Sequence, residues 1–246
     1  MKSEKKFKEK LKKEEEVPFK GWDFSYLRHR WKNSKPSWDY KKIAKKLVNK
    51  SKSVLDMGTG GGEIFSSFAP FKGKSVATEG YPPNYKLAKK RLGKIGVNVV
   101  NFENASVRNM PFKDAEFDLV LNRHDAFDAK EVFRILKKGG IFLTQQVSGD
   151  YAEDLTKEFN TKRKFSDWKA QKVRSELSNA GFLIELSKDW KGRMRFTDVG
   201  AIVYYLNAIP WMVEGFSVDK YFSVLKKFQK RLDSGKKLEF KQSIFL

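Results

Sequence analysis

The chain contains no cysteine, which excludes disulfides, thiolate metal sites and cysteine nucleophiles. Histidine is nearly as scarce. His29 and His124 are the only two in 246 residues, too few for a histidine-rich centre, so no bound metal is expected. No uninterrupted apolar run reaches the ~18–20 residues that span a bilayer. The longest candidate, 199–212, is broken by Asn207 and Pro210. The N-terminus is charged where a secretory leader would be apolar. Together these absences predict a cytoplasmic protein that makes no use of the membrane. Acidic residues are also in deficit: 30 Asp and Glu face 51 Lys and Arg, a net charge of +21. Such an excess suits a polyanionic partner such as RNA. It equally suits a lysine-biased composition, because the lysines are spread along the whole chain.

What is present begins with an almost wholly charged stretch, 1–16, read as a solvated helix or a flexible arm with too little apolar surface to offset its ordering entropy. Residues 17–50 form an aromatic N-terminal cap and a helix. Phe19, Trp22, Phe24, Tyr26, Trp31, Trp38 and Tyr40 crowd into its first half, and such density implies docking. From 51 to 190 short apolar strands (53–56, 75–78, 97–102, 117–121, 141–146) alternate with amphipathic helices (63–68, 84–95, 129–137, 167–179). Single helices between strands argue for βαβ units and a mainly parallel sheet. A sixth strand is expected at 182–186, a helical insertion or lid at 191–237, and the last strand of the core sheet at 238–246.

The most informative segment is VLDMGTGGGE, 54–63. An apolar strand runs into Asp56, then into glycines at 58, 60, 61 and 62, and Glu63 opens a helix. Glycine lets a backbone turn sharply and approach a ligand where a Cβ would clash. The dinucleotide pattern G-x-G-x-x-G fails in both frames, since it would need glycine at Glu63 or at Phe65. A second acid, Glu79 in VATEG (76–80), ends the next strand 23 residues after Asp56. That is the separation at which a carboxylate can accept from vicinal ribose hydroxyls.

The D-x-G-x-G-x-G spacing from Asp56 to Gly62, followed by Glu79, resembles the class I S-adenosylmethionine-dependent methyltransferases. PFKDAEFDLV (111–120) and LKKGGIFL (136–143) resemble the approach to that family's fourth strand and its turn into the fifth. The resemblance covers about 40–190. It implies a Rossmann-like, mainly parallel seven-stranded sheet with helices on both faces, plus a helical insertion before the last strand. It also implies S-adenosyl-L-methionine as cofactor, with S-adenosyl-L-homocysteine as product. The cofactor-binding set it implies is Asp56, Gly58, Thr59, Gly60, Gly62, Glu79, Gly80, Asn104, Ala105 and Asn122. Asn104 departs from the family's usual Asp at the adenine position.

Methyl transfer from a sulfonium needs mainly positioning, with a general base where the acceptor must lose a proton. His124, directly after the fourth strand in LNRHDAF, is the candidate base; its alternative is a structural hydrogen bond to the neighbouring loop. Arg123, Tyr204 and Trp211 are candidate substrate-binding residues. The expected activity is methyl transfer to a small or medium-sized organic acceptor. Two alternatives stay open: an RNA methyltransferase using the basic surface, and a cofactor-binding protein without catalysis.

Overall fold

The computed structural model describes residues 2–19, 21–102, 108–162 and 164–246. Five strands form the parallel half of the sheet: β2 (Ser53–Met57), β3 (Lys74–Glu79), β4 (Asn98–Asn101), β5 (Phe117–Arg123) and β6 (Leu136–Val147). β2 pairs in parallel with both β3 and β5, β3 with β4, and β5 with β6. Three further strands, β1 (Trp31–Asn33), β7 (Asp189–Phe196) and β8 (Leu238–Phe245), extend the edge. The order across the eight strands is β1-β7-β8-β6-β5-β2-β3-β4. β8 runs antiparallel to both β6 and β7, and β1 antiparallel to β7. The architecture is the expected α/β Rossmann-like mixed sheet, mostly parallel, with an extra edge strand supplied by the N-terminal segment.

Each face of the sheet is covered because strands buried on both sides need apolar partners above and below. One face carries α2 (Tyr40–Val48), α3 (Glu63–Ser66) and α4 (Pro82–Gly93). Ala44, Val48, Phe65, Ala88 and Leu92 pack there against Val54, Ala77, Leu119 and Leu121. The other face carries α5 (Ala129–Ile135) and α7 (Ala170–Asn179), which contribute Val132, Ile135, Val173 and Leu177 against Leu55, Val76 and Val120. Asp39 and Asp128 cap α2 and α5 by accepting the backbone N–H of Lys42 and Glu131, which fixes where those helices start.

A second core lies beyond β6. Its centre is α8 (Val199–Ala208), in which all but Asn207 are buried; a helix apolar on every side must be surrounded. Around it stand α1 (Lys2–Glu15), α6 (Glu153–Glu158), α9 (Val218–Asp233), the sheet edge and the aromatic cap.

Three expectations change here. The charged stretch at the start is a helix docked on the core rather than a solvated helix or a flexible arm. Leu11 is 1% exposed and Phe7 packs with it on the second core. Gly200 gives α1 its close approach, since a Cβ there would lie 2.9 Å from Glu14 Cγ. Arg30 then clamps the two helices, giving one nitrogen to Glu14 Oε1 and to Asp198 Oδ1, each at 2.7 Å. Two apolar side chains sufficed because the docking surface supplied the rest. The sixth strand is Asp189–Phe196, not 182–186. Phe182 anchors on Phe133 and Phe142 while Leu183 and Leu186 stay exposed; the ladder forms only where β8 lies alongside. Its sequence, DWKGRMRF, alternates charge with burial and reads as polar. Consequently 191–237 holds most of a strand as well as the two helices α8 and α9.

Candidate functional site

β2 is buried along its whole length, and its carboxyl end lies at the point where the chain order reverses, with β3 on one side and β5 on the other. Ligands of open α/β sheets bind outside such a point. Asp56 sits at this end, 9% exposed. Burial pushes its carboxyl up to about 7, with Asp125 and Glu79 adding to the rise and the Thr59 hydroxyl and Arg123 opposing it. The backbone then turns through Gly58, Gly60 and Gly62 at φ of 61°, 62° and 79°, a region that disfavours any residue with a Cβ.

Hydrogen bonds tie this loop to β3. Gly58 N–H donates to Thr78 Oγ1 at 3.2 Å and Thr59 N–H to the Thr78 carbonyl at 2.9 Å. Gly60 N–H donates to Glu79 Oε2 at 2.8 Å, and Tyr81 N–H to Glu79 Oε1 at 2.8 Å. Burial raises the Glu79 pKa, and these N–H groups, with that of Gly80, hold the rise in check. Each carboxylate oxygen keeps capacity to accept a further hydrogen bond.

Two polar networks flank the carboxyl ends of β5 and β6, one on each face. On the α5 side the fully buried Asn122 accepts from Thr144 Oγ1 at 2.9 Å and from Gln146 Nε2 at 2.5 Å. Gln146 Nε2 also donates to the Asp125 carbonyl at 3.1 Å. On the α2 side Trp38 Nε1 donates to Gln145 Oε1 at 2.9 Å, and Gln145 Nε2 meets His124 Nε2 at 3.1 Å. Arg123 lies over the Tyr40 ring, 5.9 Å from its centroid. The Tyr40 hydroxyl is buried without a hydrogen-bond partner, close enough to Asp56 for that charge to push its pKa up further, after burial.

The expected residues therefore divide. Asp56, Gly58, Thr59, Gly60, Gly62, Glu79 and Gly80 form one continuous loop-and-strand unit. Asn122, Arg123 and His124 stand at the adjacent strand end. Asn104 and Ala105 lie outside the described residues. Trp211 is half exposed in the α8–α9 connection and meets Trp22 edge-on at 5.7 Å; the Trp22 ring itself lies over the loop, 3.5 Å from where a Gly60 Cβ would stand. Tyr204 does not line the cleft. It is 2% exposed and packs beneath the cap against Phe19 and Tyr26, because every side of α8 is committed to the core.

Sequence reading missed Trp22, Trp38, Tyr40 and Gln145 as members of this site. The first three belong to the dense aromatic cap, whose docking partner the sequence does not specify. Gln145 and Gln146 did carry a signal: two neighbouring amides closing an otherwise apolar strand must find partners when buried.

The residues present fit the cofactor that the resemblance implies. The glycine turn holds Gly58, Gly60 and Gly62 in left-handed backbone, Glu79 has spare acceptor capacity, and the unpartnered Tyr40 hydroxyl is buried and within electrostatic reach of Asp56. Among the described residues no cluster of His, Asp and Glu could hold a metal ion, and no helix is long and apolar enough to cross a membrane.

Residues 55–144 match the methyltransferase domain family. An uncharacterized methyltransferase of Bacillus subtilis, YcgJ, is 29% identical over 97 residues, 37% of this chain and 38% of that protein. The ubiquinone/menaquinone biosynthesis C-methyltransferase UbiE of Pasteurella multocida is 29% identical over 124 residues, 46% of each chain. The chain thus matches less than half the length of these curated relatives. A solved structure from Bacillus halodurans, 22% identical, superposes with a TM-score of 0.60 over 84% of this chain and 96% of its own, a likeness of fold. The matched segment runs from β2 to β6 and contains the glycine turn, Glu79 and the β5 strand end: it is a class I S-adenosylmethionine-dependent methyltransferase domain.

Proposed function

We propose that this protein transfers a methyl group from S-adenosylmethionine to a small or medium-sized organic acceptor. The observation that carries the reading is the hydrogen bond from Gly60 N–H to Glu79. It makes the loop and the ribose-type acid a single preformed unit at the switch point of the sheet.

The donor supplies an activated methyl group on a sulfonium with its own leaving group, so the chain's residues need only bind, orient and exclude water. In this reading Asp56, ionised, faces the cationic amino group of the methionine part, and the Tyr40 hydroxyl adds a polar contact there. Glu79 accepts from the ribose hydroxyls with the lone pairs its backbone donors leave free. Trp22, from the N-terminal cap, roofs the loop and shields it from water, and Trp211, from the α8–α9 connection, packs against Trp22. Asn122, Arg123 and His124 face the acceptor side. The UbiE relatives, whose name specifies C-methylation in quinone biosynthesis, support a small-molecule acceptor class.

The test has two steps. Calorimetry with S-adenosylhomocysteine should give saturable binding that Glu79→Ala weakens. Incubation of a metabolite extract with isotopically labelled donor should then yield a labelled small molecule. Binding without any labelled product would favour a cofactor-binding protein that lacks catalysis.

One observation favours RNA as acceptor. α2 and α4, on the same face of the sheet, each carry four Lys or Arg residues and no acid. The basic stretch at the start of the chain is less available, since Lys8 and Lys12 pair with Asp219 and Lys226 pairs with Glu4. Retention of labelled RNA that is lost in Lys41→Glu/Lys46→Glu/Lys90→Glu would move the reading to that class.

A further inference from the structure

The hydrogen bonds around His124 fix which of its nitrogens carries the proton. Trp38 Nε1–H can only donate, and it donates to Gln145 Oε1 at 2.9 Å with both residues buried. That contact orients the amide, so the group facing His124 Nε2 at 3.1 Å is the Gln145 NH2. An amide NH2 also can only donate. His124 Nε2 must therefore hold a lone pair, and the ring proton sits on Nδ1.

The ring cannot easily escape this arrangement. His124 N–H donates to the Gln145 carbonyl at 2.8 Å, and the residue is held at φ 61°, a conformation uncommon for a residue with a Cβ. Protonating Nε2 would set two donors head to head. Of the charged neighbours, Arg123 precedes it and disfavours a second positive charge, Asp125 follows it and acts on Asp56, and Asp56 interacts with Tyr40 and Arg123. Burial and Arg123 together push the imidazole below its usual pKa.

The consequence is chemical. The one lone pair that could serve as a base is already taken by Gln145. The ring's other nitrogen is an N–H donor with no hydrogen-bond partner among the described residues. His124 keeps an exposed edge at the carboxyl end of β5, beside the Arg123 cation, while its ring is packed deeply enough for burial to lower its pKa. We propose that His124 is a permanently neutral hydrogen-bond donor, locked by the Trp38–Gln145 pair, and that its Nδ1–H donates to a carbonyl or carboxylate oxygen of the acceptor. The ligand class, though not the tautomer, rests on the methyltransferase reading.

The presence of only two histidines makes the test direct. Long-range 1H–15N spectra of the full chain, with His29→Asn for assignment, should show His124 protonated at Nδ1, bare at Nε2 and neutral down to about pH 5. Gln145→Glu replaces the donor by an acceptor. It should move the proton to Nε2 and raise the His124 pKa by more than one unit; Trp38→Phe, which frees the amide to turn, should partly restore ordinary titration. A wild-type His124 that titrates near its usual value of about 6.5, or that carries its proton on Nε2, overturns the lock. For the ligand class, benzoate added in the presence of S-adenosylhomocysteine should shift the His124 Nδ1–H resonance, whereas benzylamine should not. No shift with benzoate overturns the oxygen-acceptor assignment. If S-adenosylhomocysteine itself fails to bind, the functional reading falls while the tautomer result stands.

Discussion

Glu79 Oε2 accepts the Gly60 N–H at 2.8 Å, which couples the end of β3 to the glycine turn before any ligand arrives. Glu79→Ala removes both this tie and the charged acceptor for ribose hydroxyls. It should weaken S-adenosylhomocysteine binding by about 1–3 kcal/mol, the range for a lost charge-assisted hydrogen bond. Glu79→Gln should fall between, since the amide keeps one acceptor oxygen but loses the charge and the second acceptor. Calorimetry on the three proteins reads the order directly, and wild-type affinity in Glu79→Ala would remove the ribose role.

Asp56 gives the site a pH dependence with a definite sign. Its folded pKa, about 7, is raised above the ordinary 3.8, chiefly by burial. A raised carboxyl means that the folded state binds the proton more tightly, so its contribution to stability is greatest below the unfolded value. That contribution then falls as pH rises through the window from about 4 to 7, by up to ~1.4 kcal/mol per unit. Binding a cationic amino group requires the ionised form, so donor affinity should rise as pH increases from 6 toward 8. Asp56→Asn should flatten both trends: melting temperature becomes less sensitive to pH in this window, and affinity becomes weak throughout. A variant that keeps the wild-type affinity profile would assign the dependence to another group.

How far the sequence anticipated the molecule depended on whether a signal was local. Asp56, the glycines and Glu79 were legible because each does its work within a few residues of its own strand end, and the backbone conformation at Gly58, Gly60 and Gly62 leaves little choice of residue. The parallel strands were legible as apolar runs with single helices between them. Non-local pairing was not. β7 alternates charge with burial, and its partners β8 and β1 come from distant parts of the chain. Trp38 and Gln145 meet across 107 residues of sequence, so their joint effect on His124 has no counterpart in any short motif. Tyr204 failed as a pocket residue because aromatic content alone does not say which side of a helix faces a cleft.

The pair Trp22 and Trp211 reports on closure of the site. Their rings meet at 5.7 Å although both are close to half exposed, and Gly21 and Trp22 both occupy left-handed backbone, at φ 67° and 53°. For tryptophan this conformation costs on the order of 1 kcal/mol or more, sustained by its position over Gly60. Trp211→Ala should leave S-adenosylhomocysteine affinity within about twofold, because Trp211 touches the cap rather than the loop. It should raise the KM for the acceptor once that is identified. Trp22→Ala should alter donor and acceptor binding together. Equal losses of donor affinity in both variants would contradict this division.

The helix α1 offers the sharpest test of whether the N-terminal stretch is an arm or a structural element. Leu11 is almost wholly buried on the second core, and Leu→Ala in such sites costs about 2–5 kcal/mol. Arg30 bridges Glu14 and Asp198 in partly buried surroundings. Losing one partner there leaves charge uncompensated, so Arg30→Met should destabilise by more than the ~1 kcal/mol ceiling of an exposed pair. Lys8 and Lys12, more exposed and shared on Asp219, should each contribute far less, because solvent screens them. Urea unfolding of Leu11→Ala, Arg30→Met and Lys8→Ala should therefore rank them in that order of loss. Deleting residues 2–15 should lower stability outright and expose α8, seen as binding of a hydrophobic dye. A truncated chain with an unchanged midpoint and no dye binding would return the stretch to the status of a solvated arm.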